Sequence, residues 1–272
     1  CWSLHCVWQP DVKWELRRLS NRTTEDEQCD HRCRRARKCA CLDPREDRVD
    51  IERAEDGDEA HEAKGQRRNV RIAGSIGPLK ASYRPDLAEP VEVAAPKYAQ
   101  VARILGPHVD MILCETMASL SMAEAVAKGA QASGRPVWLS VSVDDHDGTN
   151  LRSGEPVSGL AAVVARYPVA AVLANCSVPE AMAAALGALK ALGLPFGAYA
   201  NGFTHISENF LKDAPTVKEL THRHDMTPEK YAEFAMLWVE MGATIVGGCC
   251  EVGPAHIAHL ASKLKALGHE LV

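Results

Sequence analysis

The chain has 272 residues, of which 46% are hydrophobic and 25% charged. This length is sufficient for one large α/β domain with a sizeable core. Its formal net charge of -5 gives no reason to expect nucleic acid or an anionic membrane surface as a partner. No apolar run approaches the roughly 20 residues that span a bilayer, and no signal peptide is evident. We therefore expect a cytoplasmic protein whose cysteines are reduced.

Residues 1–69 differ in composition from the rest of the chain. They hold 31 of the 67 charged residues and six of the ten cysteines. Such a segment buries too little apolar surface to offset the entropy of ordering it, so we expect it to be disordered or not native to the fold. Some of its side chains are zinc ligands by type, but their C-x3-C-x5-C-x-C spacing matches no standard zinc finger, and we interpret them as a chance cluster: Cys29, His31, Cys33, Cys39 and Cys41.

From Val70 onward, apolar strands alternate with helices in a pattern of six β–α units. The predicted strands are 70–76, 109–114, 136–143, 169–174, 195–200 and 243–247. The predicted helices are 96–105, 120–133, 157–167, 179–192, 228–241 and 254–267, and Thr227 is the expected N-cap of the fifth. Continuous apolar strands are typical of a parallel sheet that helices cover. The pattern favours an α/β fold, either a (β/α)8 barrel of the TIM type or a doubly wound sheet.

Three cysteines stand where predicted strands end. Cys176 follows the strand at 169–174, and Cys249 and Cys250 follow the strand at 243–247. In a barrel of parallel strands the carboxyl ends meet at one rim, and that rim holds the chemistry. Three thiolates there would bind one zinc ion and leave a fourth position open, as in catalytic zinc sites. The alternative is that each cysteine is a small hydrophobic core residue.

Polar side chains at other strand ends are candidate ligand groups. Glu115 is placed to bind a substrate ammonium group, or else it is a surface acid. Ser75 lies in a glycine-rich turn that matches neither a dinucleotide-binding loop nor a P-loop. Asn175 and Asn201 are placed to bind a carboxylate or to orient a metal ligand, although such asparagines are often turn residues. The histidines are expected in a solvated loop or on a helix surface: His205, His222, His224, His256 and His259.

Taken together, these motifs resemble the homocysteine S-methyltransferase family over about residues 70–272. The motifs are Gly74-Ser75-Ile76-Gly77-Pro78, Glu115-Thr116, Asn175-Cys176, Tyr199-Ala200-Asn201, Gly247-Gly248-Cys249-Cys250 and Pro254-x-His256-Ile257. The resemblance implies a TIM barrel with a Zn²⁺ ion held by Cys176, Cys249 and Cys250. The substrate-binding residues would then be Glu115, Asn175, Ser75 and Asn201.

One departure from the family concerns the start of the barrel. Members of the family begin with a strand that ends in an Asp-Gly-Gly-type motif, and a second strand follows; neither is evident here. Residues 1–69 have about the length of two β–α units, so we expect those units to be missing or replaced. A barrel without them has open strand edges, which predicts reduced solubility or a homo-oligomer.

The resemblance implies zinc-dependent methyl transfer from a small, positively charged donor to the homocysteine thiolate, giving methionine. The length of the chain favours S-methylmethionine or S-adenosylmethionine over donors that need further domains. Two alternatives remain at this point. One is a catalytically impaired zinc-binding remnant without the first-strand substrate groups, and the other is an unrelated TIM-barrel enzyme whose cysteines are core residues.

Overall fold

The computed structural model describes residues 71–204, 206–207, 210–211 and 220–271. It also places two short N-terminal strands, β1 (His5–Val7) and β2 (Trp14–Leu16). The cysteine and histidine cluster at residues 29–41 lies outside the described residues, as does His205. None of the described helices is long and apolar enough to cross a lipid bilayer.

The described residues from 71 onward form one sheet of six parallel strands, whose spatial order is their order in the sequence. All six strands are buried along their whole length, because helices cover one face of the sheet and the barrel interior fills the other. This arrangement confirms the α/β class and forms a partial TIM barrel. The strands are β3 (Ala73–Ile76), β4 (Met111–Met117), β5 (Val137–Val141), β6 (Ala171–Asn175), β7 (Phe196–Ala200) and β8 (Ile245–Gly248).

Six α-helices lie in the described part of the chain, one after each of these strands. They are α1 (Val91–Leu105), α2 (Leu120–Ala130), α3 (Leu160–Arg166), α4 (Pro179–Lys190), α5 (Pro228–Glu240) and α6 (Pro254–Ala266). The predicted cap of α5 is confirmed, because the Thr227 side chain accepts a hydrogen bond from the Lys230 N–H at 3.3 Å. That bond pairs one of the N–H groups that a helix start leaves without an intrahelical partner.

The predicted start of α1 at Pro96 is wrong. The helix begins five residues earlier, at Val91. Proline is favoured at a helix start because it lacks an N–H, but here it lies inside the helix on the exposed side. Ala94 and Ala95, just before it, are buried, and their packing extends the helix past a residue that locally disfavours it.

The buried apolar residues form two separate clusters. The larger one fills the space between the sheet and the helices and includes Cys114. The second lies inside the barrel and contains Met111, Leu113 and Trp138 together with the three strand-end cysteines. The separation follows from the alternation of side chains along a strand, which sends successive residues to opposite faces. It places Cys114 away from the other three cysteines.

The N-terminal strands β1 and β2 pair with each other in an antiparallel hairpin. β1 lies beside β8, and β2 lies beside β3, so the hairpin occupies the side of the barrel where the six-stranded sheet ends. In the described residues, it shares no ladder with that sheet. The prediction that residues 1–69 are foreign to the fold stays a prediction.

Candidate active site

The three strand-end cysteines meet at one point on the carboxyl side of the sheet. Their sulfur atoms all lie within 4.8 Å of one another, and all three residues are buried. The Sγ atom of Cys250 lies 3.7 Å from that of Cys176 and 3.9 Å from that of Cys249. The convergence predicted from three strand ends is therefore present in the structure.

Cys176 and Cys249 are joined as a disulfide in the structure. Their Cα atoms are 5.7 Å apart, which lies within the range that a disulfide requires. This pair differs from the reduced thiols expected from the sequence. Residues 73 positions apart come within bonding reach because both are held by the end of β7, which lies between β6 and β8: the Cys176 N–H donates to the Tyr199 carbonyl at 3.3 Å and the Cys249 N–H to the Ala200 carbonyl at 2.9 Å.

The chemistry and spacing of the sulfur atoms fit a zinc ion. Zinc–sulfur bonds of about 2.3 Å in tetrahedral geometry place neighbouring sulfur atoms about 3.8 Å apart. The two distances from the Cys250 sulfur, 3.7 and 3.9 Å, agree with that value. The Cys176–Cys249 disulfide has to be reduced before these two sulfur atoms can bind an ion as thiolates. Among the residues that the structure describes, the cluster consists of these three cysteines, and three thiolates are the donor set of a zinc site that keeps one position open.

Unusual backbone conformations concentrate around this centre. Cys176 itself has φ 53°, Thr116 has 66° and Glu251 has 64°. Residues other than glycine rarely adopt positive φ, and such conformations persist where surrounding contacts hold them. Two backbone bonds tie the neighbouring loops: Cys249 N–H donates to Ala200 at 2.9 Å, and the Gly202 N–H donates to Cys250 at 2.8 Å.

Gly248 is needed for close packing just before the cysteine pair. A Cβ atom at this position would collide with the side chain of Val252. Only glycine allows the chain to pass so close to the turn that follows. The glycine thus fixes the path that leads into Cys249 and Cys250.

Glu115 points into the barrel because it continues the alternation that places Met111 and Leu113 in the inner cluster, on a strand β4 that is longer than predicted. The strand extends through Met117, with a register irregularity between Cys114 and Met117. This irregularity turns Met117 to the outer cluster, against the alternation of Met111 and Leu113. The Glu115 carboxylate, only 1% exposed, accepts hydrogen bonds from the Ser75 hydroxyl and from the Tyr199 hydroxyl, the latter at 3.4 Å.

Asn175 connects β4, the strand that carries Glu115, to the sulfur centre. Its Oδ1 atom accepts from the Thr116 N–H at 2.9 Å and from the Ser140 hydroxyl at 2.8 Å. Its Nδ2 atom donates to the Thr116 hydroxyl at 2.9 Å and lies 4.0 Å from the Cys249 sulfur. The side chain is fully buried, and these four contacts use its hydrogen-bonding capacity.

Asn201 differs from Asn175 because one of its donors has no partner. Its Oδ1 atom accepts from the Phe203 N–H at 3.2 Å. Its buried Nδ2 atom makes no hydrogen bond within the described residues, although the Tyr83 phenol lies near it. Burial raises the pKa of that phenol above its usual range, and the neighbouring Cys250 adds to the effect.

Comparison with known proteins adds to this geometry. The profile of the homocysteine S-methyltransferase family matches residues 43–264. The chain belongs to the homocysteine S-methyltransferase family. It is 32% identical over 224 residues to Homocysteine S-methyltransferase of Escherichia coli (strain K12), covering 78% of this chain and 69% of that protein. It is 26% identical over 209 residues to Homocysteine S-methyltransferase YbgG of Bacillus subtilis (strain 168), covering 72% and 62%.

Solved structures of a member of the family are also similar. The metallated form of the homocysteine methyltransferase MmuM from Escherichia coli has a TM-score of 0.61, with 28% identity over 78% of this chain and 68% of that one. The oxidized form has a TM-score of 0.59 with the same identity and coverage. The membership places this chain in a family of methyl-transferring enzymes.

Two residues at the site were not predicted from the family motifs. Arg152 and Tyr83 stack on each other beside the sulfur centre, with the guanidinium carbon 4.8 Å from the ring centroid. Each lies in a loop without a recognisable pattern. The sequence could have indicated them only by their position. Both lie in loops that follow the carboxyl ends of barrel strands, where the functional groups of such a barrel collect.

Two of the histidines, His222 and His256, contact residues just after Cys250 but are not part of the sulfur cluster. His222 lies 3.1 Å from the carboxylate of Glu251, the residue after Cys250. The expected surface position of His256 is wrong, because it is half-buried: its Nδ1 accepts from the Gly253 N–H at 3.2 Å, and its Nε2 lies 2.9 Å from the Met226 carbonyl. His256 thus supports the start of α6.

Proposed function

We propose that this protein catalyses zinc-dependent transfer of a methyl group from a small, positively charged donor to the thiolate of homocysteine, giving methionine. The observation that carries the proposal is the convergence of the Cys176, Cys249 and Cys250 sulfur atoms within 4.8 Å. Family membership supports it, as does the existence of a metallated form of a structurally similar relative.

The three cysteines would hold the ion, and the substrate sulfur would take the open position. A free thiol has a pKa near 8.5 and is mostly protonated at neutral pH. Zinc, when bound, keeps a coordinated thiol deprotonated. In the transfer, a lone pair of the homocysteine sulfur forms the new bond to the methyl carbon. The bond from that carbon to the donor breaks, and the donor leaves with the electron pair and loses its positive charge.

The residues around the centre supply binding and orientation. Glu115 is the group proposed to bind the substrate ammonium, since it is a buried carboxylate held by Ser75 and Tyr199. Asn201 would offer its buried Nδ2 donor to the substrate carboxylate. Asn175 would serve the substrate indirectly, because its own polar atoms hold Thr116 and Ser140. Orienting two reactants in this way supplies several kcal/mol or more of the barrier reduction.

S-methylmethionine and S-adenosylmethionine are the proposed donors, because both carry a methyl group on a positively charged sulfur. A cytoplasmic location and a homo-oligomer also remain proposals. The zinc-binding remnant stays a defined alternative outcome of the experiment that follows.

The test measures zinc content and homocysteine methylation on the purified, reduced chain, with each proposed donor in turn. We expect about one zinc ion per chain and formation of methionine. Cys250→Ala should lose both, while Cys114→Ala, which changes a cysteine of the outer cluster, should keep both. Zinc without turnover would identify the remnant, and a chain that binds no zinc would refute the proposal.

Glu115→Gln tests the substrate-binding role separately from the metal. Loss of the charge should raise the KM for homocysteine about 10- to 100-fold, since a hydrogen bond to a charged group contributes about 1.5–3 kcal/mol. Zinc content should not change. The matched control is Glu155→Gln, because Glu155 is a half-buried acid in a rim loop that accepts from the Leu120 N–H at 2.9 Å. An unchanged KM in Glu115→Gln would remove Glu115 from the substrate site.

A further inference from the structure

Arg152 is a buried arginine in the loop that connects β5 to α3. Its side chain is 11% exposed, and its charge is balanced by Asp145, whose carboxylate lies 2.9 Å from Nη2. The Nε atom donates to the Ser142 hydroxyl at 2.8 Å. Nη2 also approaches the Cys176 carbonyl oxygen at 3.4 Å and the Ser177 hydroxyl at 3.5 Å. The guanidinium therefore touches the backbone of a proposed metal ligand.

This loop and the end of β7 together hold the turn that contains Cys176; from β7, the Tyr199 carbonyl accepts from the Cys176 N–H at 3.3 Å. The Ser177 hydroxyl accepts from the Val143 N–H and donates to the Val143 carbonyl, both at 2.9 Å. The Val178 N–H donates to the Asp145 carboxylate at 3.0 Å. Asp145 thus binds the turn directly and also anchors Arg152. Since Cys176 has φ 53°, these contacts over-determine a conformation that the residue alone would rarely adopt.

Arg152 also connects the turn to a second side of the sulfur centre. Its guanidinium stacks on the ring of Tyr83, which itself has φ 65° and lies with Cys250 in the inner apolar cluster. A planar guanidinium serves both purposes at once, because it stacks on an aromatic face while its edge donates several hydrogen bonds. One side chain therefore contacts groups next to two of the three cysteines.

We infer that Arg152 is a positioning residue for the three-sulfur metal centre. Anchored by Asp145, it fixes the Cys176 turn relative to Tyr83 and Cys250, so that the three sulfur atoms are arranged for one ion before the ion binds. This inference rests on the proposed zinc site and adds to it a residue that acts through its contacts with the Cys176 turn.

The planar shape of the guanidinium group, with its several N–H donors, matters more for holding the Cys176 turn than its positive charge does. Lysine would keep a positive charge near Asp145, but a single ammonium group cannot reach Ser142, Asp145 and Cys176 while also stacking on Tyr83. Methionine would keep an unbranched apolar stem and lose every polar contact. Both Arg152→Lys and Arg152→Met should therefore weaken metal binding.

The experiment measures metal affinity of the reduced full chain by competition with a chromophoric chelator, using zinc and, as a spectroscopic stand-in, cobalt. We expect both variants to bind each metal about 10- to 100-fold more weakly, the usual effect of removing a group that orients a metal ligand. The matched control is Arg166→Met: Arg166 also pairs with an acid, Glu124 at 2.7 Å, and stacks on Tyr167 at 5.4 Å, but on the helix side of the barrel. Its loss should leave metal affinity unchanged.

Thermal melting of the metal-free variants separates positioning from general stability. A lower melting temperature with unchanged metal affinity would mean that Arg152 only stabilises the loop, and would overturn the inference while leaving the proposed function intact. So would an equal loss of affinity in Arg166→Met. If Arg152→Met does not fold, Arg152→Lys gives the same test, because it keeps a positive charge beside Asp145 and leaves the direct contact of Asp145 with the turn in place. A wild-type chain that binds no metal would overturn the proposed function and this inference together.

Discussion

At the scale of single residues, the connection between Asn175 and its neighbours explains how the site holds its shape. Asn175→Ala would leave the Thr116 N–H without its hydrogen-bond partner inside the protein. A buried donor left unsatisfied costs about 1–3 kcal/mol, so the free energy of unfolding should fall by about that amount in a denaturant titration. The matched control is Asn150→Ala, in a loop where Asn150 donates to Asp147, and it should change stability by no more than about 0.5 kcal/mol. Equal effects in the two variants would contradict this structural role of the Asn175 hydrogen bonds.

The sequence predicted the residues that end strands better than it predicted their contacts. Cys176, Cys249 and Cys250 were found because strand ends in a parallel barrel share one rim, and that depends only on counting strands. Whether Asn175 faces substrate or protein depends on a neighbouring strand 35 residues away, where Ser140 lies. The sequence around Arg152 does not indicate a role for it, because that role depends on contacts with Tyr83 and the Cys176 turn, which are distant in the chain.

At the scale of elements, α1 shows how tertiary packing overrides a local preference. Pro96 removes one N–H from the helix interior, at an exposed position. Pro96→Ala restores that donor, and alanine is about 3 kcal/mol more favourable than proline in a helix interior, partly offset by about 0.4–1 kcal/mol of added unfolded-state entropy. We therefore expect an increase of about 2 kcal/mol in the free energy of unfolding.

The same substitution at the start of another helix provides the control for Pro96→Ala. Pro254 is the first residue of α6 and is exposed, and there the fixed φ of proline suits the helix. Pro254→Ala should leave stability unchanged or lower it by up to about 1 kcal/mol. If both variants shift the denaturation midpoint in the same direction and by the same amount, the helix-interior explanation is wrong.

The order of strands and helices was predictable because it follows from local alternation of apolar segments. The start of α1 and the end of β4 were not predictable in this way. The start of α1 depends on the burial of Ala94 and Ala95 against other elements. The end of β4 depends on its irregular pairing with β5, where Met117 pairs with Val141 after the register shift. Both are consequences of partners that the local pattern does not show.

At the scale of the whole molecule, the arrangement links metal binding to the integrity of the barrel. The sulfur centre joins the ends of β6 and β8, and β8 is the last strand of the six-stranded sheet. An ion bound there would cross-link elements 73 residues apart. Metal binding and folding should therefore be coupled thermodynamically.

Zinc should raise the melting temperature of the reduced chain. Zinc at about 100 times its dissociation constant adds about 2.7 kcal/mol to the stability of the folded state, which is about 5–10 °C for a domain of this size. The ten cysteines of the chain also bind zinc when it is unfolded, and this reduces the shift. Cys250→Ala controls for that binding: it keeps nine cysteines but should lose the increase, while Cys114→Ala should keep it. Differential scanning calorimetry with and without zinc measures the shift, and an equal shift in both variants would show that the stabilising ion binds elsewhere.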